Sequence, residues 1–334
     1  MPDLTIQGSA QSALHEQAAA MTRGSFGSDV FVRAVVEISN FCREDCSYCG
    51  MRRSNKVLNR YRAQVDQLAE SIVHHRPQSV TDINIQAGED PVAAREVALP
   101  LIKILKERTR RGVSLCLGTL SAELYLELQA AGASLYIMKF ECADPAHYRE
   151  LRAPGTLSER IAHIRLLSET GWMVSSGFIA GLPGQTPEKL QENLELAESL
   201  PLQGCSVSPF IPGELTPLSN STPANIDWTL NCMAALRLRQ AGWVIPAVSA
   251  LNLADASGYR RGLRAGANLV TINITPEPLR QDYVIYKRDR FIMSEAHVLG
   301  AIEEEGLSPS KQGLADFYRN KRSPSFSPAP TTAT

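Results

Sequence analysis

Three cysteines lie close together in the first sixth of the chain. Cys42, Cys46 and Cys49 are spaced C-x3-C-x2-C in the stretch CREDCSYCG, which follows an apolar run. Thiolates are the ligands of iron–sulfur clusters, and a cluster with four irons normally takes four of them. Three cysteines would therefore leave one iron open to a ligand from outside the protein.

Two other kinds of site are compatible with part of this motif. Cys46 and Cys49 alone form a CxxC, which occurs in zinc sites and in redox pairs. A structural zinc site needs four ligands, and the sequence has no second CxxC and no histidine pair on one helix face. A disulfide is disfavoured because the N-terminus lacks the basic and apolar pattern of a secretory signal.

The remaining four cysteines are scattered, and we interpret them as small buried hydrophobic residues. Cys116 and Cys142 fall near predicted strand ends, so they are also candidates for the wall of a cavity. The other two are Cys205 and Cys232.

The overall composition is that of an ordinary globular protein. The 334 residues are 44% hydrophobic and 21% charged, with a formal net charge of −1. This balance gives no electrostatic basis for binding nucleic acid or an anionic membrane. No apolar run approaches the roughly 20 residues of a membrane span. The seven cysteines form no paired framework, which fits a reducing compartment, so we expect a cytoplasmic protein.

Strand and helix patterns alternate through most of the chain. Repeated strand–helix units over this length favour a parallel sheet closed into a (β/α)8 TIM barrel. We expect an N-terminal helical extension at 1–28 with a helix over 12–21, the barrel at 29–290, C-terminal helices within 291–322, and a disordered tail at 323–334. The predicted strands are 30–38, 82–86, 112–117, 134–140, 173–180, 205–208, 243–248 and 269–274.

Several unusual residues directly follow predicted strands. The cysteines come after the first strand, Gly88 and Glu89 after the second, Glu141 after the fourth and Gly181 after the fifth. In a barrel the carboxyl ends of the strands share one face, which carries the active site. These segments are therefore expected to converge.

The cysteine spacing, with the aromatic Tyr48 before the last cysteine, resembles the signature of the radical S-adenosylmethionine (SAM) superfamily. The resemblance implies a 4Fe–4S cluster held by Cys42, Cys46 and Cys49. It also implies that SAM binds the open iron and is cleaved reductively to a 5′-deoxyadenosyl radical. An external electron donor such as flavodoxin or ferredoxin is then required.

The resemblance also assigns residues to SAM. Tyr48 would lie beside the adenine, Gly88 and Glu89 would meet the amino group, and Glu141 the ribose or amino group. Arg160 would bind the carboxylate, because a guanidinium offers a fork of donors. Gly181 and Leu182 would approach the adenine with their backbone. A phosphate loop is the alternative for that Gly/Pro turn, but no Lys-Ser/Thr follows it.

Over residues 28–305 the chain resembles more narrowly the group of biotin synthase, methylornithine synthase and the E-type maturase of iron-only hydrogenase. Ser114 and Ser175 stand where biotin synthase has cysteines for a sacrificial cluster, so biotin synthesis is not expected. No cysteine follows Cys232, so the extra C-terminal cluster of many E-type maturases is missing as well.

The substrate side of the site departs from the E-type maturase. Lys139 replaces an arginine, which loses bidentate geometry, and Val248 with Ser249 replaces a pair of threonines. We predict a small, amino-acid-like or metal-complex substrate. A carbon-skeleton mutase like methylornithine synthase is one alternative, and a non-catalytic metal-binding scaffold is another. The predicted substrate contacts are Lys139, Ser249, Arg280, Tyr283 and Tyr286.

Overall fold

The computed structural model describes residues 3–288 and 292–322. Within these residues, seven parallel strands form one sheet in the order β6-β5-β4-β3-β2-β1-β7, and a short β8 pairs with β1. The strands are β1 (Asp29–Ser39), β2 (Asp82–Ala87), β3 (Gly112–Cys116), β4 (Leu135–Ile137), β5 (Met173–Ala180), β6 (Gly204–Pro209), β7 (Leu269–Asn273) and β8 (Ser308–Pro309).

The segment 244–246 joins the two edges of this sheet and closes it into a (β/α)8 barrel. Val244 forms a parallel bridge with Gly204 of β6, and Pro246 forms one with Leu269 of β7. The predicted strand over 243–248 is shortened to these bridges. Pro246 has no N–H to donate, and the Ile245 N–H donates instead to the Asn268 side-chain oxygen at 2.8 Å.

Helices surround the barrel. The helical stretch after β2 contains a π-helical segment (Ala94–Ala98) between α3 and α4. The α-helices are α1 (Gly8–Phe26), α2 (Val65–His75), α3 (Pro91–Ala93), α4 (Leu99–Arg108), α5 (Ala122–Ala130), α6 (Pro145–Glu150), α7 (Leu157–Glu169), α8 (Pro187–Ser199), α9 (Ile226–Arg239), α10 (Ser249–Ala254), α11 (Gly258–Arg264), α12 (Glu277–Asp282), α13 (Glu295–Glu303) and α14 (Leu314–Arg322).

Strand β1 shows how the barrel divides apolar from polar residues. Its outward positions, including Val32 and Val36, are fully buried beneath the helices. Its inward positions are Arg33, Val35 and Glu37, which line the barrel interior. Barrel interiors are normally filled by bulky branched side chains, so two charged residues on one inner face mark this lumen as a functional cavity.

The N-terminal helix α1 is longer than predicted and packs on the side of the barrel. It runs through Gly24 and ends at Gly27, whose positive φ of 63° suits a glycine. It contacts α9, where the Asn231 amide donates to the carbonyls of Leu4 and Ile6.

The C-terminal helix α14 lies across the amino-terminal end of the barrel. Asp82, at the start of β2, accepts the N–H groups of Leu314 at 2.7 Å and Ala315 at 3.2 Å. This helix begins at Leu314, after residues 308–309 have paired with β1 as β8. The predicted tail at 323–334 and the boundary at 290/291 lie outside the described residues.

Within the described ranges, no helix is both long and apolar enough to cross a membrane.

We predict that Asp82→Ala destabilises the fold by about 1–3 kcal/mol, because two backbone donors and the Thr81 hydroxyl lose a buried acceptor. Urea denaturation of the purified protein measures this loss. The matched control is Asp316→Ala on α14, because the ion pair of Asp316 with Arg319 is exposed. This substitution should change the free energy of unfolding by less than about 0.5 kcal/mol. Equal stability of the Asp82→Ala variant and the parent would contradict this role.

Candidate active site

The three motif cysteines follow β1 directly and line one cavity at the carboxyl end of the barrel. All three are free thiols. Burial raises the pKa of Cys42, raises that of Cys46 well above its ordinary value and raises that of Cys49 to about 12. Since the thiolate is the metal ligand, iron must displace these protons when it binds.

Arg60 holds the loop that carries the cysteines. Its guanidinium donates to the carbonyls of Asn40 and Met51 through Nη1, and to those of Arg52 at 2.8 Å and Asn55 at 3.0 Å through Nη2. The four acceptors lie on both sides of the cysteine motif. A planar cation with a fixed fork of donors can hold both sides at once, which a lysine cannot do.

The set of donors in this cavity fits a cluster with one open iron. Three thiols face a common space, and the Glu89 N–H lies 3.4 Å from the Cys42 sulfur, so it can donate to a bound thiolate. In residues 3–288 and 292–322, no three His, Cys, Asp or Glu side chains converge on a single-metal site. The zinc alternative therefore gains no support from the geometry.

A buried ion pair joins Arg160 to Glu89 beside the cysteines. Arg160 Nη2 lies 2.6 Å from Glu89 Oε1, and both side chains are less than one-tenth exposed. Burial opposes the charge of Arg160, but Glu89, Tyr148 and Glu141 together outweigh burial and keep the pKa of Arg160 above its ordinary value. The capping box of Thr156 and Glu159 fixes the start of α7, and Arg160 follows in its first turn.

Arg160 also carries an unused donor. Its Nε is buried and has no hydrogen-bond partner among the described residues, although the side chain lines the cysteine cavity. An unsatisfied buried charged donor is costly. A carboxylate placed in the cavity would satisfy it, which fits the expected position of the SAM carboxylate.

Glu141 is held in a strained conformation at the end of β4. Its φ is 62°, which is unfavourable for a residue other than glycine. Its backbone is fixed on both sides, since its N–H donates to Gly177 O at 3.1 Å and its O accepts from Ile179 N at 3.0 Å. Burial raises the pKa of Glu141, while Lys139 and Arg160 oppose that rise.

Gly88 allows two loops to approach each other. A Cβ atom at this position would lie 2.2 Å from the carbonyl oxygen of Phe41 and 3.0 Å from Cys42 Cβ. The close approach that Gly88 permits is thus to the cysteine loop, and it brings the end of β2 beside the cluster ligands.

The cysteine cavity adjoins the barrel lumen. The cysteine cavity includes Tyr48, Gly88, Glu89, Glu141 and Arg160, and the lumen includes Arg33 and Glu37. We call the shared residues the throat, since both cavities use them as walls. The throat residues are Gln86, Cys116, Ile137, Lys139, Ser208, Ile285 and Tyr286.

The predicted substrate residues separate into different positions. Lys139 and Tyr286 belong to the throat, Ser249 lines the lumen, and Tyr283 lines the cysteine cavity, where its hydroxyl accepts from Gln86 at 3.1 Å. Arg280 on α12 lines neither cavity and lies 3.5 Å from the Thr275 carbonyl. Its contact with a substrate stays a prediction.

Two further expectations concern residues near the strand ends. Gly181 and Leu182 line a separate depression with Trp228, so their approach to the adenine also stays a prediction. Cys116 does reach the cavity wall, whereas Cys142 is buried and lines neither cavity.

Lys139 is a half-buried cation between the two cavities. Its Nζ lies 3.5 Å from the Ser208 hydroxyl. Burial lowers the pKa of Lys139, but the nearby Glu141 and then Tyr286 outweigh burial and raise it above its ordinary value. Lys139 therefore carries its positive charge into the passage between the cavities.

Sequence reasoning missed the polar residues of the lumen. Arg33 and Glu37 interrupt an otherwise apolar strand at alternate positions, which is the signal that was available. Glu37 is buried and accepts from the Asn273 amide at 3.1 Å, while Arg33 donates to Thr271 at 3.3 Å.

Comparison with known proteins places these features in a family. Residues 36–197 match the model of the radical SAM superfamily. Over 274 residues the chain is 34% identical to the FeFe hydrogenase maturase subunit HydE of Thermotoga maritima, covering 82% of this chain and 78% of the relative. The chain belongs to the radical SAM superfamily. It is accordingly an enzyme, and the family implies a 4Fe–4S cluster and SAM.

Similarity extends to methylornithine synthase. The chain is 26% identical to 3-methylornithine synthase of Methanosarcina barkeri over 299 residues, covering 87% of this chain and 83% of the relative. A crystal structure of methylornithine synthase (PylB) superposes with a TM-score of 0.83 at 26% identity, covering 95% of this chain and 94% of that one.

We predict that Arg60→Lys lowers the iron content of the reconstituted protein at least twofold, because a lysine cannot hold both sides of the cysteine loop. Iron analysis and visible absorption after anaerobic gel filtration measure this. The control is Arg53→Lys, at an exposed residue of the same loop, which should load like the parent. Equal loading of both variants would show that Arg60 does not organise the site.

Proposed function

We propose that this enzyme cleaves SAM reductively and directs the resulting 5′-deoxyadenosyl radical at a small, amino-acid-like substrate in the barrel lumen. Cys42, Cys46 and Cys49 would hold a 4Fe–4S cluster, which supplies the electron that breaks a sulfonium bond. The observation that carries the proposal is the throat, because its residues line both the cysteine cavity and the polar lumen.

The chain's own residues bind and orient SAM in this proposal. The Arg160 Nε would donate to the SAM carboxylate, while Glu89 holds the guanidinium from behind. Glu141 would accept from the amino group or the ribose. Its fixed backbone keeps the carboxylate in the cavity without a rearrangement when the ligand arrives.

The lumen supports an amino-acid-like substrate through its charges. Arg33 and Lys139 are cations that suit a carboxylate, and Glu37 is a buried carboxylate that suits an ammonium group. Closed walls around these groups favour a small molecule over a polymer.

A second candidate is a carbon-skeleton mutase of the 3-methylornithine synthase type. The near-complete structural match to methylornithine synthase favours it, and this activity needs no cluster beyond the one at the three cysteines. Incubation with lysine and other diamino acids, followed by mass spectrometry, distinguishes it, because an isomerised product of unchanged mass is expected only for a mutase.

The proposal predicts that cluster-loaded protein with SAM and dithionite forms 5′-deoxyadenosine. Cys46→Ala should abolish both the iron–sulfur absorption and this product, since a cluster ligand is lost. The matched control is Cys232→Ala, a buried cysteine on α9 outside both cavities, which should keep both. Failure of a fully loaded parent to form any 5′-deoxyadenosine would refute the function.

Arg160→Lys should weaken SAM binding about tenfold, equivalent to about 1.4 kcal/mol. Lysine keeps a positive charge beside Glu89 but loses the Nε donor and the planar fork. Anaerobic calorimetry with cluster-loaded protein measures the affinity. The control is Arg149→Lys, at an exposed residue of α6. If Arg160→Lys bound SAM as tightly as the parent does, Arg160 would not be part of the SAM site.

A further inference from the structure

Three surface segments lie side by side next to the cysteine loop. Gly50 N donates to Ile285 O at 2.8 Å, and Glu214 N donates to Tyr286 O at 2.7 Å. Arg288 Nη2 lies 3.5 Å from the Val57 carbonyl. Residues 50–57, 213–215 and 285–288 therefore form one continuous surface, which we call the rim.

The rim carries an excess of positive charge. Arg53, Lys56 and Lys287 are exposed, and none of them forms an ion pair with a carboxylate of residues 3–288 or 292–322. Arg288 is exposed as well. The whole chain has a net charge of −1, so this concentration of cations is local to the rim.

Nearby carboxylates offset little of that charge. Asp45 is engaged by Arg52, whose Nε and Nη2 lie 3.1 and 3.2 Å from its two oxygens. Arg152 lies 3.6 Å from the same carboxylate. Glu214 is the exposed acid of the rim itself, which leaves four cations against one carboxylate.

The rim also exposes two large apolar side chains. Val57 is 62% exposed and Leu215 is 63% exposed. Leu215 has a φ of 58°, a conformation that costs a leucine about 1 kcal/mol or more and that glycine adopts freely. The fold gains little from a leucine at this position, so its side chain fits a role in contact with another molecule.

We infer that the rim is the docking surface for a small acidic electron-carrier protein. The positive charge of the rim favours a negatively charged partner. Exposed apolar residues among basic ones are compatible with a transient protein–protein interface. Cys49 packs against a buried apolar group that contains Met51 of the rim, and Ile285 of the rim packs against the same group. A carrier bound here would therefore lie close to the motif cysteines. The carrier loses one electron, and the cluster site gains it.

This inference rests on the proposed function, so its test separates binding from turnover. The probes are a purified acidic flavodoxin and a 2Fe–2S ferredoxin. Their affinity for cluster-loaded protein is measured by biolayer interferometry at several salt concentrations. In parallel, 5′-deoxyadenosine formation is measured with reduced flavodoxin and with dithionite, a small reductant that needs no docking surface.

The test variant is the double substitution Arg53→Glu with Lys56→Glu. It should weaken binding of the acidic carrier about tenfold or more and flatten the salt dependence, while the dithionite-driven rate stays unchanged. The matched control is Lys103→Glu with Arg110→Glu, which makes the same change in charge. Lys103 lies on α4 and Arg110 just after it, towards the opposite end of the barrel. This control should bind the carrier like the parent.

Leu215→Gly tests the apolar part of the rim. It should weaken carrier binding and leave the stability of the fold equal or higher, because glycine relieves the positive φ. Leu126→Ala, at an exposed leucine of α5, is its control.

Two results would overturn the docking surface. One is that the Arg53/Lys56 variant binds the carrier as tightly as the parent does. The other is that the parent binds neither carrier at low salt. A parent that binds carrier but forms no 5′-deoxyadenosine with dithionite would instead overturn the proposed function alone.

Discussion

The buried ion pair between Glu89 and Arg160 connects the parts of the active site. Glu89 follows β2 and also accepts from the Thr119 hydroxyl at 3.1 Å, while its carbonyl accepts the Arg43 N–H at 3.0 Å. The pair thus links the cysteine loop, the loop after β3 and the start of α7. Removing one member of a buried pair typically costs about 3–5 kcal/mol, so these loops depend on each other for their positions.

The throat residues line both halves of the proposed site. In the proposed function, SAM would bind on the side of the cysteine cavity and the substrate would lie in the charged lumen. Lys139 lies between the two as a half-buried cation beside Glu141 and Ser208. We propose that this position influences the choice of substrate, because it belongs to the walls of both cavities.

Sequence alone predicted the barrel and the convergence of the cysteines with Gly88, Glu89 and Glu141, because strand ends in a (β/α)8 barrel share one face. The Glu89–Arg160 contact was not predicted, since the two residues are 71 positions apart and no local pattern indicates that they pair with each other. The shortened strand at 244–246 depends on a side chain of another segment, Asn268. Lys139 and Glu141 were found, but only the structure shows that one faces the throat and the other is strained.

Three cysteine ligands would leave one iron of the cluster open for SAM beside Arg160. Electron–nuclear double resonance of the reduced, cluster-loaded protein detects such binding, using SAM labelled with ¹⁷O in the carboxylate and ¹⁵N in the amino group. We expect hyperfine coupling from both labels, since both groups would bind the open iron. A reduced cluster that shows coupling to neither label, with SAM at saturating concentration, would contradict it.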